Sequence, residues 1–215
     1  MGELRERPIL MSGPMIRAIL EGRKTQTRRV VKLPDAPMRL GTWEPSEIFG
    51  YPASVLWHTR TGKIVACPFG VPGDRLWVRE TWCFAHPEYH DQAEGVRRGD
   101  RPVRDEMPWW CHYAATDDDV DEPKWSPSIH MPRWASRLTL RVTSVRVERV
   151  QDISEADARA EGVTPFPHDP EGDCWTDGKH RTAFEHLWGA INGWESWRDN
   201  PWVWAVGFEV ERRAP

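Results

Sequence analysis

The sequence predicts a single α+β domain with a small barrel-like β-sheet, about three helices and two polar insertions. Residues 134–150 alternate apolar and polar side chains, and the alternation changes parity near Thr143 and Ser144, which indicates a long strand bent by a bulge. Such a strand is typical of a small closed or partly closed barrel. The 19 prolines and 16 glycines favour a loop-rich architecture over a helical bundle.

Three segments carry the periodicity and end signals of helices. Residues 14–21 repeat apolar side chains at helical spacing and stop at Gly22. A second helix begins after the capping residue Ser154 and ends at Gly162. Residues 182–191 place their apolar side chains on one helical face, which predicts the third helix.

Strands and insertions divide the rest of the chain. Alternation predicts strands at about 75–83, 109–115, 134–150 and 202–211. Two regions, at about 32–66 and 86–130, lack this periodicity and are interpreted as insertions. The first is predicted to be a long loop with one short hairpin near residues 55–65.

Composition excludes several classes of protein. The net charge of -4 argues against a protein that coats nucleic acid, although it leaves room for a local basic patch. No apolar run is long enough to span a membrane, and the charged N-terminus is unlike a secretory signal. The four cysteines form no C-x-x-C pair, which favours a reducing cytoplasm.

No metal or cofactor is predicted. A zinc cluster could be imagined from a set of cysteines and histidines in and beside the second insertion. The set comprises Cys83, His86, His90, Cys111 and His112. Its spacing is only loosely like that of known zinc sites, so unpaired thiols and surface histidines are the preferred interpretation.

The most informative stretch is residues 22–29, which contains three arginines, one lysine and two threonines directly after the first helix. A junction that concentrates cations faces either solvent or an anion. Glu161 is the second notable residue, because it ends its predicted helix, where the helix dipole disfavours a carboxylate. Such a residue acts in proton transfer, or it pairs with a cation such as Lys24.

The residues GRKTQTRR at 22–29 resemble the G-x-K-x-x-T-x-R signature of the ASCH domain, a PUA-like β-barrel. The P-G-D sequence at 72–74 resembles the family's turn before a barrel strand, and residues 154–164 resemble its later helix. Residues 67–82 and 131–138 are similar to a phage or prophage subgroup of the family. The resemblance covers most of the chain outside the two insertions.

This resemblance implies roles for individual residues. Some small bacterial members of the family are amidohydrolases that remove the acyl group from N4-acylated cytidine. In them a lysine accepts the proton, a threonine three residues later is the nucleophile, and a glutamate on the later helix donates a proton. These roles would fall on Lys24, Thr27 and Glu161. Arg29 matches the signature arginine, and the substrate-binding set would comprise Arg23, Arg28 and Arg29.

The chemistry of this set is coherent, with one geometric objection. A threonine hydroxyl needs a neighbouring base, and a lysine becomes that base when burial or nearby cations lower its pKa. However, positions 24 and 27 have opposite parity in a straight strand. The two side chains meet only if the segment bends after Gly22.

Two functions from different classes follow from the resemblance. The first is a pocket protein that acts on a modified pyrimidine nucleoside or nucleotide, as an amidohydrolase that deacylates the exocyclic amine of cytidine. The alternative is a non-catalytic module of phage or prophage origin that binds a modified base, RNA or single-stranded nucleic acid. A virion assembly component is a third possibility, which would leave the signature residues without a role. None of these interpretations involves a membrane.

Overall fold

The computed structural model describes residues 4–34, 41–45, 54–85, 110–117, 124–165 and 178–211. They form ten β-strands and four α-helices, which confirms the predicted α+β class. The strands are β1 (Glu6–Leu10), β2 (Gln26–Val30), β3 (Trp43–Pro45), β4 (Val55–His58), β5 (Ile64–Ala66), β6 (Arg75–Arg79), β7 (Trp82–Ala85), β8 (Trp110–Tyr113), β9 (Thr139–Arg149) and β10 (Trp202–Glu211). The helices are α1 (Gly13–Leu20), α2 (Glu155–Ala160), α3 (His180–Asn192) and α4 (Trp194–Arg198).

The main sheet has five strands in the order β1-β6-β9-β10-β2. Strands β1 and β6 are parallel, and the other pairs are antiparallel. In the described part of the chain this sheet does not close into a barrel, because β1 and β2 remain its two edges. A side chain spans the gap between these edges at one point, where Arg29 Nη2 donates to the Leu10 carbonyl at 2.5 Å.

The predicted bend in β9 is confirmed as a register shift. Gly207 pairs with Ser144 and Phe208 pairs with Val142, so Thr143 has no partner in β10. The extra residue reverses the parity of the strand. As a result, Val142 and Val145 both reach the same hydrophobic cluster although three positions separate them.

Two apolar clusters lie on opposite faces of the main sheet. The first contains Trp204 and Val206 of β10 together with Ile16 and Ile19 of α1. The second contains Val203 and buried side chains of the later helices. These are Ala158, Phe184, Trp188 and Trp197. Since neighbouring strand residues point to opposite faces, β10 contributes to both clusters.

The first expected insertion is more ordered than a long loop. The hairpin predicted near residues 55–65 is formed by β4 and β5, and β3 adds a third antiparallel strand. Leu56 of this small sheet is fully buried in the first cluster. Of the second insertion, residues 86–109 and 118–123 lie outside the described residues, and β8 pairs with β7.

The three predicted helices are present, with α3 beginning two residues earlier than expected. Strand β1 and helix α4 were not predicted from the sequence. The predicted strand at 75–83 is two strands in different sheets, β6 and β7. No helix within the described ranges has the length and apolar character needed to cross a lipid bilayer.

Candidate functional site

Lys24 is placed by the end of α1. Gly22 adopts a φ of 74°, and the Arg23 and Gly22 amides donate back to the carbonyls of Ala18 and Ile19 at 2.9 and 3.0 Å. This pattern is a Schellman C-cap, which turns the chain sharply away from the helix axis. Lys24 follows this turn, just before β2, and is only 2% exposed.

Glu161 is placed by the end of α2. The Ser154 hydroxyl caps the first turn of the helix by accepting the Asp157 amide proton at 3.1 Å, as the sequence predicts. Glu161 is the C-cap residue, and Gly162 follows with a φ of 80°. A Cβ atom on Gly162 would lie 2.7 Å from the Lys24 Cβ. The glycine therefore allows the end of α2 to lie directly against Lys24.

The lysine and the carboxylate form a buried pair. Lys24 Nζ lies 2.7 Å from Glu161 Oε2 and also donates to the Glu161 backbone carbonyl at 2.9 Å. The other carboxylate oxygen, Oε1, accepts from Arg28 Nη1 at 3.1 Å. Glu161 is 5% exposed, so the pair is largely removed from water.

Burial works against the charged form of the Lys24 amine. Burial lowers the pKa of Lys24 below its ordinary value of 10.5, and the attraction of Glu161 opposes this shift without cancelling it. The positive charges of Arg29 and Arg28 lower the pKa further. A lowered pKa brings a lysine closer to the range in which it accepts a proton at neutral pH.

A charge network that the sequence analysis missed extends from this pair across β10 to β9. Arg28 donates through Nε to Glu148 at 2.9 Å and lies 3.5 Å from Asp157. Arg146 contacts the same two carboxylates at 2.8 and 2.7 Å. The network thus joins three cations (Lys24, Arg28 and Arg146) to three carboxylates (Glu148, Asp157 and Glu161).

A sequence signal for part of this network existed. Arg146 and Glu148 alternate with the buried Val145 and Val147, so the side chains of Arg146 and Glu148 lie on the same face of β9, opposite the two valines. That they lie across β10 from a polar stretch of β2 follows only from the order of the strands.

The other proposed site residues lie in different surroundings. Thr27 is 1% exposed and pairs with Val206, so its side chain lies on the face of the sheet that carries the first cluster. Arg28 pairs with Ala205, and its side chain lies on the opposite face. Within the described residues the Thr27 hydroxyl makes no hydrogen bond, so none joins it to Lys24 or Glu161. The structure thus brings Lys24, Arg28 and Glu161 into contact, and among the described residues no hydrogen bond joins Thr27 to them.

The two remaining arginines differ in exposure. Arg23 lies at the surface, where it donates to the Glu21 carboxylate at 2.7 Å and to the Gly162 carbonyl at 2.6 Å. Arg29 leaves the same face of β2 as Thr27 and donates to Leu10. Burial lowers the pKa of Arg29 and the charge of Glu161 opposes this, so Arg29 is within electrostatic reach of the pair.

Comparison with known proteins adds no identification. No family model matches the chain, and no curated protein and no solved structure matches it. Among the described side chains, no group of three or more histidines, cysteines, aspartates and glutamates is arranged to hold a metal ion. His86 and His90 of the imagined zinc cluster lie outside the described residues.

Proposed function

We propose that this chain is an ASCH-like protein that removes an acyl group from the exocyclic amine of a cytidine nucleoside or nucleotide. The observation that carries the proposal is the contact between a buried lysine of lowered pKa and a carboxylate on the end of a later helix. The signature resemblance requires these two residues, Lys24 and Glu161, to act on the same substrate. They are separated by 137 positions in the chain and lie 2.7 Å apart.

The fold is compatible with a PUA-like barrel as the finer description. Strands β1, β4, β6, β9 and β10 all contribute buried side chains to the first apolar cluster. Its edge strands are linked through Arg29 and Leu10. We therefore interpret the sheet as an open version of such a barrel, with the proposed substrate pocket at the edge formed by β2.

The proposed reaction uses the pair as a proton relay. Thr27 Oγ1 attacks the acyl carbonyl carbon while its proton passes to neutral Lys24. The proton moves along the 2.7 Å hydrogen bond to Glu161, which donates it to the N4 atom as the carbon–nitrogen bond breaks. Cytidine leaves, and the acyl group remains as an ester on Thr27. Water then hydrolyses the ester, which releases the carboxylic acid and restores the hydroxyl.

Arg29 completes the proposed site. Attack on the carbonyl places negative charge on its oxygen, and a cation close to that oxygen stabilises the tetrahedral intermediate. Arg29 leaves the same face of β2 as Thr27, two positions later. It is therefore the arginine best placed to act on a group attacked by Thr27.

The second candidate is a reader of modified bases or RNA that uses the same pocket without turnover. The observation that favours it is the placement of Thr27, which makes no hydrogen bond with Lys24 in the described structure. In a reader, the buried pair and the arginines would bind the ligand, and the threonine would have a packing role only.

The test is incubation with a panel of N4-acylated cytidines, presented as nucleosides, nucleotides and within RNA oligonucleotides. Binding and product are followed separately, with product detected by mass spectrometry. Thr27→Val is expected to bind substrate and to form no product, whereas the matched control Thr25→Val changes an exposed threonine and is expected to retain turnover. Tight binding by the wild type with no product from any substrate would overturn the hydrolase and support the reader.

A further inference from the structure

Arg28 makes contacts that differ from those of a substrate-binding residue. Its side chain is fully buried, and all three guanidinium nitrogens contact carboxylates of the protein. Nη1 holds Glu161, while Nε and Nη2 hold Glu148. The guanidinium also lies 5.7 Å from the centre of the Phe184 ring, a distance at which cation–π attraction operates. These contacts occupy the whole fork of the guanidinium.

The Arg28 guanidinium restrains the orientation of the Glu161 carboxylate. Glu161 has two oxygens, and Lys24 holds one of them while Arg28 holds the other. Arg28 is in turn anchored by Glu148 from β9 and by Asp157 from α2. A planar guanidinium can bridge carboxylates in fixed directions, which a lysine ammonium cannot do.

We infer that Arg28 is a positioning residue, which orients Glu161 toward Lys24 and does not touch the substrate. This inference rests on the proposed function, because it assigns Arg28 a role in the same proton relay. The charged groups that face the Lys24 amine are Glu161 from the end of α2 and Arg28 and Arg29 from β2. Arg28 therefore acts on Lys24 in two ways, by holding its partner and by its own positive charge.

The first experiment separates orientation from substrate contact. Arg28→Lys keeps the charge but cannot hold Glu148 and Glu161 with one fork. We expect its kcat for an N4-acylated cytidine to fall about 100-fold, as misplacement of a reacting group does, with KM little changed. Arg137→Lys is the matched control, since Arg137 forms a two-pronged pair with buried Glu80 outside this site, and its turnover should equal that of the wild type.

The second experiment follows the amine itself and needs no substrate. The chain contains five lysines, so NMR of protein with 13C-labelled lysine side chains can resolve Lys24, whose signal is identified by its loss in Lys24→Met. Removal of the Arg28 charge in Arg28→Gln should raise the pKa of Lys24, and the rising limb of the pH–rate profile should move upward with it. Because Arg28→Lys keeps the positive charge, the pKa of Lys24 should rise less in this variant than in Arg28→Gln.

The outcomes separate this inference from the proposed function. A rise in KM with unchanged kcat in Arg28→Lys would make Arg28 a substrate contact and overturn the inference. An unchanged Lys24 titration in folded Arg28→Gln would also contradict it. If the wild type turns over no acylated cytidine, the proposed function fails, and the Lys24 titration alone still decides whether Arg28 controls the pair. If Arg28→Gln does not fold, the kinetics of Arg28→Lys decide.

Discussion

The approach of α2 to Lys24 depends on Gly162, and substitution of this glycine by alanine tests how closely the site is packed. Gly162 has a φ of 80°, a conformation that alanine adopts at a cost of about 1–2 kcal/mol. The new Cβ would also lie 2.7 Å from the Lys24 Cβ and 3.0 Å from the Ala18 Cβ. Because backbone and buried side chains surround it, the contact cannot be relieved by rotation of a flexible end.

The expected destabilisation combines these two effects. Crowding in a packed interior costs about 1–3 kcal/mol, so Gly162→Ala should lower the free energy of unfolding by about 2–5 kcal/mol. Gly22→Ala is the matched control at the end of α1. Gly22 has a φ of 74°, and no other described heavy atom lies within 4 Å of its added Cβ, so only the backbone cost of about 1–2 kcal/mol applies.

Urea unfolding of the two variants and the wild type measures both costs. The slopes of the transitions should agree, so that differences in midpoint report stability alone. Gly162→Ala should also shift the NMR titration of Lys24, whereas Gly22→Ala should leave it in place. Equal destabilisation by the two substitutions would show that α2 does not press against Lys24, and would refute the packing described above.

Three further predictions concern the cap, the lysine and a second buried ion pair. Ser154→Ala removes the cap of α2 and should cost about 1 kcal/mol in urea unfolding; no loss would contradict the capping role. Lys24 binds its proton more weakly in the folded than in the unfolded chain. The stability of the wild type relative to Lys24→Met should therefore rise as the pH increases from neutral toward 10.5, and a flat difference would contradict the lowered pKa. Arg137→Met leaves the Glu80 carboxylate buried without its partner and should cost about 3–5 kcal/mol, whereas exposed Arg141→Met should cost less than about 1 kcal/mol; similar costs would contradict the difference in burial.

Local signals predicted much of the fold. The bulge at Thr143 was visible as a change in the parity of apolar residues, and the ends of α1 and α2 as glycines after periodic runs. Strand β1 was missed because its five residues include two charged side chains and a proline, which do not alternate clearly. The predicted barrel does not close in the described part of the chain, and the sequence could not show this, since closure depends on which strands become edges rather than on the residues of any one strand.

The sequence predicted only part of the candidate site, because some of its contacts form only when separate strands and helices assemble. A carboxylate at a helix end and a lysine after a helix each suggested a partner, and their contact is present in the structure. Glu148 and Asp157 were missed because their charges meet Arg28 only after β9, β2 and α2 are assembled. Thr27 shows the opposite limit, because the signature spacing led to the hypothesis that it acts with Lys24 and Glu161, whereas the register of β2 places its side chain on the other face of the sheet from Arg28.

The most direct test of the proposed mechanism is a search for the acyl group on Thr27. The protein is mixed with an N4-acylated cytidine, quenched in acid, digested and analysed by peptide mass spectrometry, with Thr27→Val treated identically. The mechanism predicts an acyl ester on the peptide that contains Thr27 in the wild type and none on the corresponding peptide of the variant. Formation of cytidine by the wild type and by Thr27→Val at similar rates, with no acylated peptide from either, would contradict it.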